Sequence, residues 1–405
     1  MCVQEKILGP RIVEWDKRIT TKGILILFLP LKQGGKTMSK RFHGIDRHKR
    51  FSTICVLEQS GEELEFIAMC TDLKRYIRSL GSEDAVVLEA STGTFWWADQ
   101  IEAQGALCFI LDPHKFRIIK DSWNKTDKHD ARNMAKALWV YQVTGEFGIP
   151  TVHKPQAVIR ELRTLFSQYM MLNRQIRMLK NSIHATFGEN GIALSSAKAE
   201  QLLSAKTGTR LLEELNISVA SKTCIEMNQS LLWAVLVKKQ QMVTEILLAG
   251  EQLRKQVELL ITIKGITPLT ALAFLADVGD VRRFRTTRKM NAYLGLVPRS
   301  KDSGGNMQSG HINRESRKLT RTLLTQSIHH VSRSSPYLRN YYCTLTERRG
   351  CGRARIALIR KTCAMMRRML LNDEPFRWVD RTLFEKKLKQ YRYLIEKNNE
   401  ERKSA

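Results

Sequence analysis

Four carboxylates are the residues in this sequence whose types and spacing can do chemistry. Asp46 closes the expected strand 42–46, and Glu89 closes Val86-Val87-Leu88-Glu89. Asp127 and Asp130 stand three residues apart in Lys125-Thr126-Asp127-Lys128-His129-Asp130-Ala131, which puts both on one face of a helix's first turn. Taken singly, each acid reads first as a turn former, a helix cap or a local partner of Lys128 or Arg132. Taken jointly they read differently. Four carboxylates at one place repel unless a cation sits among them, and Mg²⁺ or Mn²⁺ is the hard cation that oxygen ligands suit. Two such ions ~3.5–4 Å apart bracket a phosphate in phosphodiester chemistry. His43, His48 and His129 lie close by in sequence and read as solvated or polar-contact histidines, and Trp96-Trp97 reads as core.

A second group is less informative on its own. The polar stretch 299–310 reads as a loop carrying Ser300, Ser303 and Ser309, with Gly304-Gly305 beside Ser303. A serine among glycines is ordinarily loop chemistry, and nothing in the spacing alone makes it a nucleophile.

The elements that must position the acids come from periodicity. Strands are expected at 42–46, 51–57 and 63–69, then a helix through Leu73, Tyr76, Ile77 and Leu80. A strand at 86–89, a helix at 94–104 and a strand at 107–111 follow, and another helix opens near Thr126. The order predicts a mixed sheet sandwiched by helices. A three-strand meander followed by a crossover lets the first and fourth strands lie parallel and adjacent, with Asp46 and Glu89 at one rim. In the middle, Leu162, Leu165, Tyr169, Leu172, Ile176, Leu179 and Ile183 step alternately by three and four, an a/d seam. Val243, Ile246, Gly250, Leu253, Val257 and Leu260 repeat it. Two such helices pair either within the chain or between chains, and an oligomerising role is expected. Further on, residues 261–271 resemble a helix-hairpin-helix turn, whose backbone N–H groups suit a phosphate.

Charge narrows the function. The 405 residues hold 67 Lys and Arg against 40 Asp and Glu, a net of +27, and 30 of those bases with only 10 acids fall in residues 281–405. Such a surplus points to a polyanion such as nucleic acid, and away from an ordinary metabolic enzyme. The candidate contacts are Lys264, Gly265, Arg283, Arg285, Arg288, Lys289, Arg299, Arg314, Arg317 and Lys318. Eight scattered cysteines form no CxxC pair, so neither structural zinc nor a disulfide framework is expected. The apolar run Ile24-Leu25-Ile26-Leu27-Phe28-Leu29 is far short of the ~20 residues that span a bilayer, and no membrane association is expected. Residues 1–37 show no coherent pattern and read as an upstream extension before a natural start at Met38.

The ordered motifs carry a resemblance. Gly44-Ile45-Asp46, Leu88-Glu89-Ala90-Ser91 and the stretch 125–131 resemble the four-acid DEDD domain of the "IS one-ten" (IS110) insertion-sequence transposases, relatives of Piv-type invertases. Residues 265–271, Val278-Gly279-Asp280, Arg283-Phe284, 293–298 and Asp302-Ser303-Gly304-Gly305 through Gly310-His311-Ile312 resemble that family's C-terminal domain, except that Thr267 stands for a usual glycine.

The resemblance implies an α/β RNase H-like (RuvC-like) domain over 38–150, in which Asp46, Glu89, Asp127 and Asp130 hold Mg²⁺ or Mn²⁺. It also implies Ser303 as nucleophile in the C-terminal domain, read as a mainly α domain over 259–345; periodicity and charge place a helical coiled-coil region over 151–258 before it and a basic helical tail over 346–405 after it. The expected activity is transposition: Ser303 attacks a DNA phosphodiester, metal-assisted, and leaves a phosphoserine link. The expected partners are DNA (element ends and target), a structured guide RNA and further copies of the chain, as a dimer or tetramer in a bacterial cytoplasm at the nucleoid. Two other readings compete: a metal-dependent junction nuclease in which Ser303 is only a loop residue, and an inactive nucleic-acid-binding remnant.

Overall fold

The computed structural model describes residues 39–119, 126–145, 148–193, 195–204, 207–303, 306–312 and 316–404. The expected extension 1–37, Met38, Lys125, Gly304-Gly305 and Arg314 lie outside them. The chain divides between Lys154 and Pro155 into two compact units.

The first unit is an α/β domain. Strands β1 (Arg41–Arg47), β2 (Ser52–Glu58), β3 (Glu63–Cys70), β4 (Asp84–Glu89) and β5 (Leu107–Leu111) form one sheet in the order β3-β2-β1-β4-β5. β1 pairs antiparallel with β2, and β1, β4 and β5 run parallel, the mixed sheet expected. Alternation along the strands makes two cores. Phe42, Leu57, Ala85 and Val87 face one side, and Ile45, Ile54, Val86 and Leu88 face the other. Helices α1 (Leu73–Arg78) and α2 (Thr94–Ala103) supply Leu73, Ile77 and Ile101 to the second core. Helix α3 (Pro113–Ile119) was not expected. Its start is nevertheless legible: the Asp112 carboxylate accepts from His114 N at 3.1 Å, and proline at a helix's first position costs no hydrogen bond. Helix α4 (Asp127–Trp139) covers the first core with Ala131, Met134, Ala135 and Leu138.

At the N-terminal end of β1, Asp84 is fully buried. It takes Arg41 Nε at 2.6 Å, His43 Nε2 at 3.0 Å and Gly81 N at 2.7 Å. Burial by itself would raise its pKa. The bonds from His43, Arg41 and Gly81 outweigh that and hold it at about 2. His43 is thus a polar-contact histidine, as expected. Trp97 packs on the second core, but Trp96 is exposed.

The second unit is mostly helical. Helices α5 (Ala157–Glu189), α6 (Ser196–Leu203), α7 (Gly208–Glu213) and α8 (Val219–Ala249) come first. Asn190 Nδ2 donates to Ser221 Oγ at 3.0 Å and Asn228 Nδ2 to Ser182 Oγ at 3.2 Å, so α5 and α8 pair antiparallel within one chain. The seam shifts by one residue near its start, where Phe166 is buried and Leu165 only partly so. The second seam is broken at Gly250, where a Cβ would lie 2.4 Å from Leu272 Cδ2. A short turn of 3₁₀ helix and then α9 (Arg254–Leu260) follow.

Helices α10 (Pro268–Val278), α11 (Thr287–Tyr293), α12 (Leu319–Ser332), α13 (Pro336–Arg349), α14 (Cys351–Asn372) and α15 (Arg381–Ser404) complete the unit with the hairpin β6 (Pro298–Ser303) and β7 (Asn306–Ile312). The basic helices expected as a tail are built into the core. Leu358, Ile359 and Met366 of α14 and Tyr391 and Ile395 of α15 join Leu260, Leu272 and Phe274. Lys387 Nζ of α15 donates to the carbonyls of Ile261, Ile263 and Ile266 at 2.6, 3.0 and 3.0 Å, which ties α15 to the turn before α10. Among the described residues no helix is long and apolar enough to cross a membrane.

Candidate metal centre and serine hairpin

Asp46 and Glu89 leave the sheet together. β1 and β4 run in register with Gly44 opposite Val87 and Ile45 opposite Leu88. Pleat alternation then puts Asp46 and Glu89 on the face of Gly44 and Val87, at the C-terminal ends of neighbouring strands. Helix α4 lies on this face, and Gly44 explains how. A Cβ there would come within 2.2 Å of Ala131 O and 2.4 Å of Ala135 N, so only glycine lets the helix backbone rest on the strand. Asp127 stands one turn before Ala131, and Asp46 two residues past Gly44. The close approach therefore brings the two carboxylates to one corner. Thr126 Oγ1 caps the helix by accepting from His129 N at 3.3 Å.

The third member of this corner is His48. Its Nε2 lies 3.2 Å from Asp127 Oδ2 and 3.5 Å from Asp46 Oδ2. Neither contact has hydrogen-bond geometry, and the nitrogen is buried with no hydrogen-bond partner. His48 N donates to Phe51 O at 3.0 Å, closing the turn between β1 and β2, and the imidazole packs on Phe51 with centroids 4.8 Å apart. One donor atom from each of Asp46, His48 and Asp127 lies within 4.8 Å of the others. Among the described residues, Glu89 and Asp130 are not members of that converging group. Glu89 is exposed on the rim and Asp130 is half-buried in the first turn of α4.

Two carboxylates and an imidazole are a donor set that divalent cations accept, and a nitrogen that lies beside two carboxylates without a hydrogen bond to either is what such an ion would complete. The sequence pointed to both acids but not to His48, whose signal was its position two residues after Asp46. Arg47 ties the rim to the loop before α2, donating from Nη2 to Ser91 Oγ at 2.9 Å.

In the second unit, Ser303 belongs to a strand rather than to the expected loop. It ends β6 and pairs with Asn306, the first residue of β7. Both strands are polar, so apolar alternation could not reveal them. The available signal was Gly304-Gly305 between two polar runs, a dipeptide that favours tight hairpins.

The expected nucleic-acid contacts divide by burial. Arg285, Arg288, Lys289 and Lys318 are exposed, and Lys264 is half-exposed with Asp380 3.8 Å away. Arg283 is turned inward, donating from Nε to Val278 O at 2.9 Å and stacking on Phe284 and Tyr293 at 4.0 and 4.5 Å. Gly265 packs against α12, since a Cβ there would lie 2.8 Å from His330 Cβ. Thr267, in place of a second hairpin glycine, caps α10 by accepting from Thr270 N at 3.2 Å. A cavity of about 410 Å³ is lined by Arg163, Ser167, Asp277, Ser316, Arg317 and Lys318. Burial would raise the phenol pKa of Tyr293, but Arg317, Arg163 and Arg283 pull it below the ordinary tyrosine value. The Arg299 side chain and Arg314 lie outside the described residues.

Comparison with known proteins matches this division of the chain. A family model described as "Transposase", of the DEDD type found in IS110 elements, matches residues 43–189. A second, described as "Transposase IS116/IS110/IS902 family", matches residues 257–343. The chain is 24% identical over 350 residues to the transposase for insertion sequence element IS1111A of Coxiella burnetii, covering 82% of this chain and 90% of that protein. It is 24% identical over 346 residues to a probable family 20 transposase of Pseudomonas aeruginosa, covering 83% and 94%. A putative transposase of Sinorhizobium fredii is 33% identical over 64 residues, 16% of each chain.

Proposed function

The chain belongs to the IS110 family of insertion-sequence transposases, whose general activity is cleavage and transfer of DNA, and from that premise we propose that it recombines DNA through a serine nucleophile assisted by a divalent metal. The observation that carries the metal half is the convergence of Asp46, His48 and Asp127 at the end of β1. The strand order and the helix over the acid face are compatible with an RNase H-like domain. In this reading Asp46 and Asp127 bind the cation, with Glu89 and Asp130 completing the acid rim. A bound Mg²⁺ or Mn²⁺ supplies positive charge that offsets the charge growing on phosphate oxygens.

Ser303 is the nucleophile. Its Oγ forms a bond to phosphorus, the bond from phosphorus to one deoxyribose oxygen breaks, and the serine proton passes through water to that oxygen, which leaves as a hydroxyl. The phosphoserine link conserves the bond energy, and a hydroxyl of another strand reverses the step. The exposed bases Arg285, Arg288, Lys289 and Lys318 hold the DNA backbone by charge. Ends and target are chosen with a structured RNA from the element, and the chain acts as a dimer or tetramer.

The test is a denaturing gel of protein, Mg²⁺, DNA carrying the element ends and the candidate RNA. A covalent protein–DNA band is expected, lost in Ser303→Ala and kept in Ser300→Ala and Ser309→Ala. A band that survives Ser303→Ala, or strand cleavage that proceeds normally without Ser303, overturns the serine mechanism in favour of a junction nuclease that uses the acids alone.

A further inference from the structure

The acid corner contains a nitrogen that an all-carboxylate metal site does not have. His48 Nε2 sits 3.2 Å from Asp127 Oδ2 and 3.5 Å from Asp46 Oδ2, is buried, and hydrogen-bonds to neither. Its ring packs on Phe51 with centroids 4.8 Å apart, and the backbone of the turn is closed by the bond from His48 N to Phe51 O at 3.0 Å. The nitrogen therefore lies beside both carboxylates, on a ring packed against Phe51. A side chain serving only to neutralise the acids would gain by donating a well-aligned hydrogen bond to one of them, and this one does not.

We propose that His48 Nε2 is a third protein ligand of the cation held by Asp46 and Asp127, and that it makes the centre select Mn²⁺ over Mg²⁺. The inference rests on the metal-site reading above and goes beyond it, because it names the cation. The chemistry is ligand softness. Mg²⁺ demands oxygen donors and keeps much of its water, whereas imidazole suits first-row transition ions. Two carboxylates and one imidazole would hold the ion with three protein ligands, the number typical of working rather than structural centres. Mn²⁺ lies lowest in the divalent affinity order, so the nitrogen adds affinity without making release of the ion prohibitively slow.

The experiment reads metal binding on the full-length protein, independently of strand transfer. Mn²⁺ is titrated and followed by electron paramagnetic resonance, with pulsed spectra searched for ¹⁴N coupling, and Mg²⁺ affinity is taken from competition. The wild type is expected to show a bound Mn²⁺ with nitrogen coupling. In His48→Ala, Mn²⁺ affinity should fall on the order of 10–100-fold, the scale on which partners of a metal site matter, while Mg²⁺ affinity changes little. His48→Gln offers an oxygen in similar space and should lose the coupling while binding both ions with little preference, which also controls for any folding defect in the alanine variant. Nitrogen coupling retained in both variants, or an unchanged Mn²⁺ to Mg²⁺ ratio, overturns the ligand role and leaves His48 a neighbour of the acids. Asp46→Asn separates the two levels: if it binds Mn²⁺ as the wild type does, the acid corner is not the metal site and the underlying reading fails as well.

Discussion

At the scale of single residues, the acid corner is made by a glycine as much as by acids. Gly44 has no functional group, yet the approach of Ala131 and Ala135 to its Cα sets how far Asp127 lies from Asp46. Gly44→Ala is expected to destabilise the first unit by about 1–3 kcal/mol or more, the cost of forcing extra volume into packed structure, and to weaken divalent-ion binding alongside. Paired denaturant melts and Mn²⁺ titrations check both; a variant that melts like the wild type would mean the helix does not rest on the strand as described. Asp46 and Asp127 were legible in the sequence because they end or begin regular elements. His48 was not, because a histidine in a turn carries no periodicity and its value lies in a contact made 79 residues away, with Asp127.

At the scale of elements, β1 carries a second polar cluster at its other end, and that one is closed. Asp84 is held at about 2 by His43, Arg41 and Gly81 against the opposing effect of burial. An unfolded aspartate titrates near ~3.9. The cluster's contribution is therefore complete above about pH 4 and lost as pH falls through about 2. Asp84→Asn should cost about 1.5–3 kcal/mol at neutral pH, the range for hydrogen bonds to a charged group. The gap to the wild type should narrow in urea melts near pH 2, and a gap that is constant with pH would show that the charge of Asp84 does not stabilise the sheet.

The strands of the first unit were legible through their apolar runs and α4 through the opening expected near Thr126, whose side chain, rather than that of Asp127, caps the helix. The hairpin β6–β7 was hidden by its polar composition. The seam of α5 was displaced because this helix packs on α10 as well as α8, so its buried stripe is wider than the two-helix rhythm allows.

For the whole molecule, the charge asymmetry is the plainest message of the sequence, and the structure changes how it is tested. Removing residues 281–405 would take away α12, α14 and α15, whose side chains fill the core of the second unit. Neutralising exposed charges leaves that core intact. Replacing Arg285, Arg288 and Lys289 by glutamine should weaken DNA binding and reduce the slope of log affinity against log salt by up to about 2.7, roughly 0.9 for each phosphate that is no longer neutralised. Anisotropy measurements over a series of salt concentrations give that slope, and an unchanged slope would place the DNA elsewhere. Family membership was readable from ordered motifs spread across both units, since no single motif is specific by itself.

The division between Lys154 and Pro155 also has a consequence for heat. Each side of that boundary owns its apolar interior, and a calorimetric trace is expected to resolve into two cooperative events; a single two-state transition would show that the units unfold together. The events are separable by what shifts them. A divalent ion at a hundred times its dissociation constant adds about 2.7 kcal/mol to the unit that binds it, and should move only the peak belonging to the sheet.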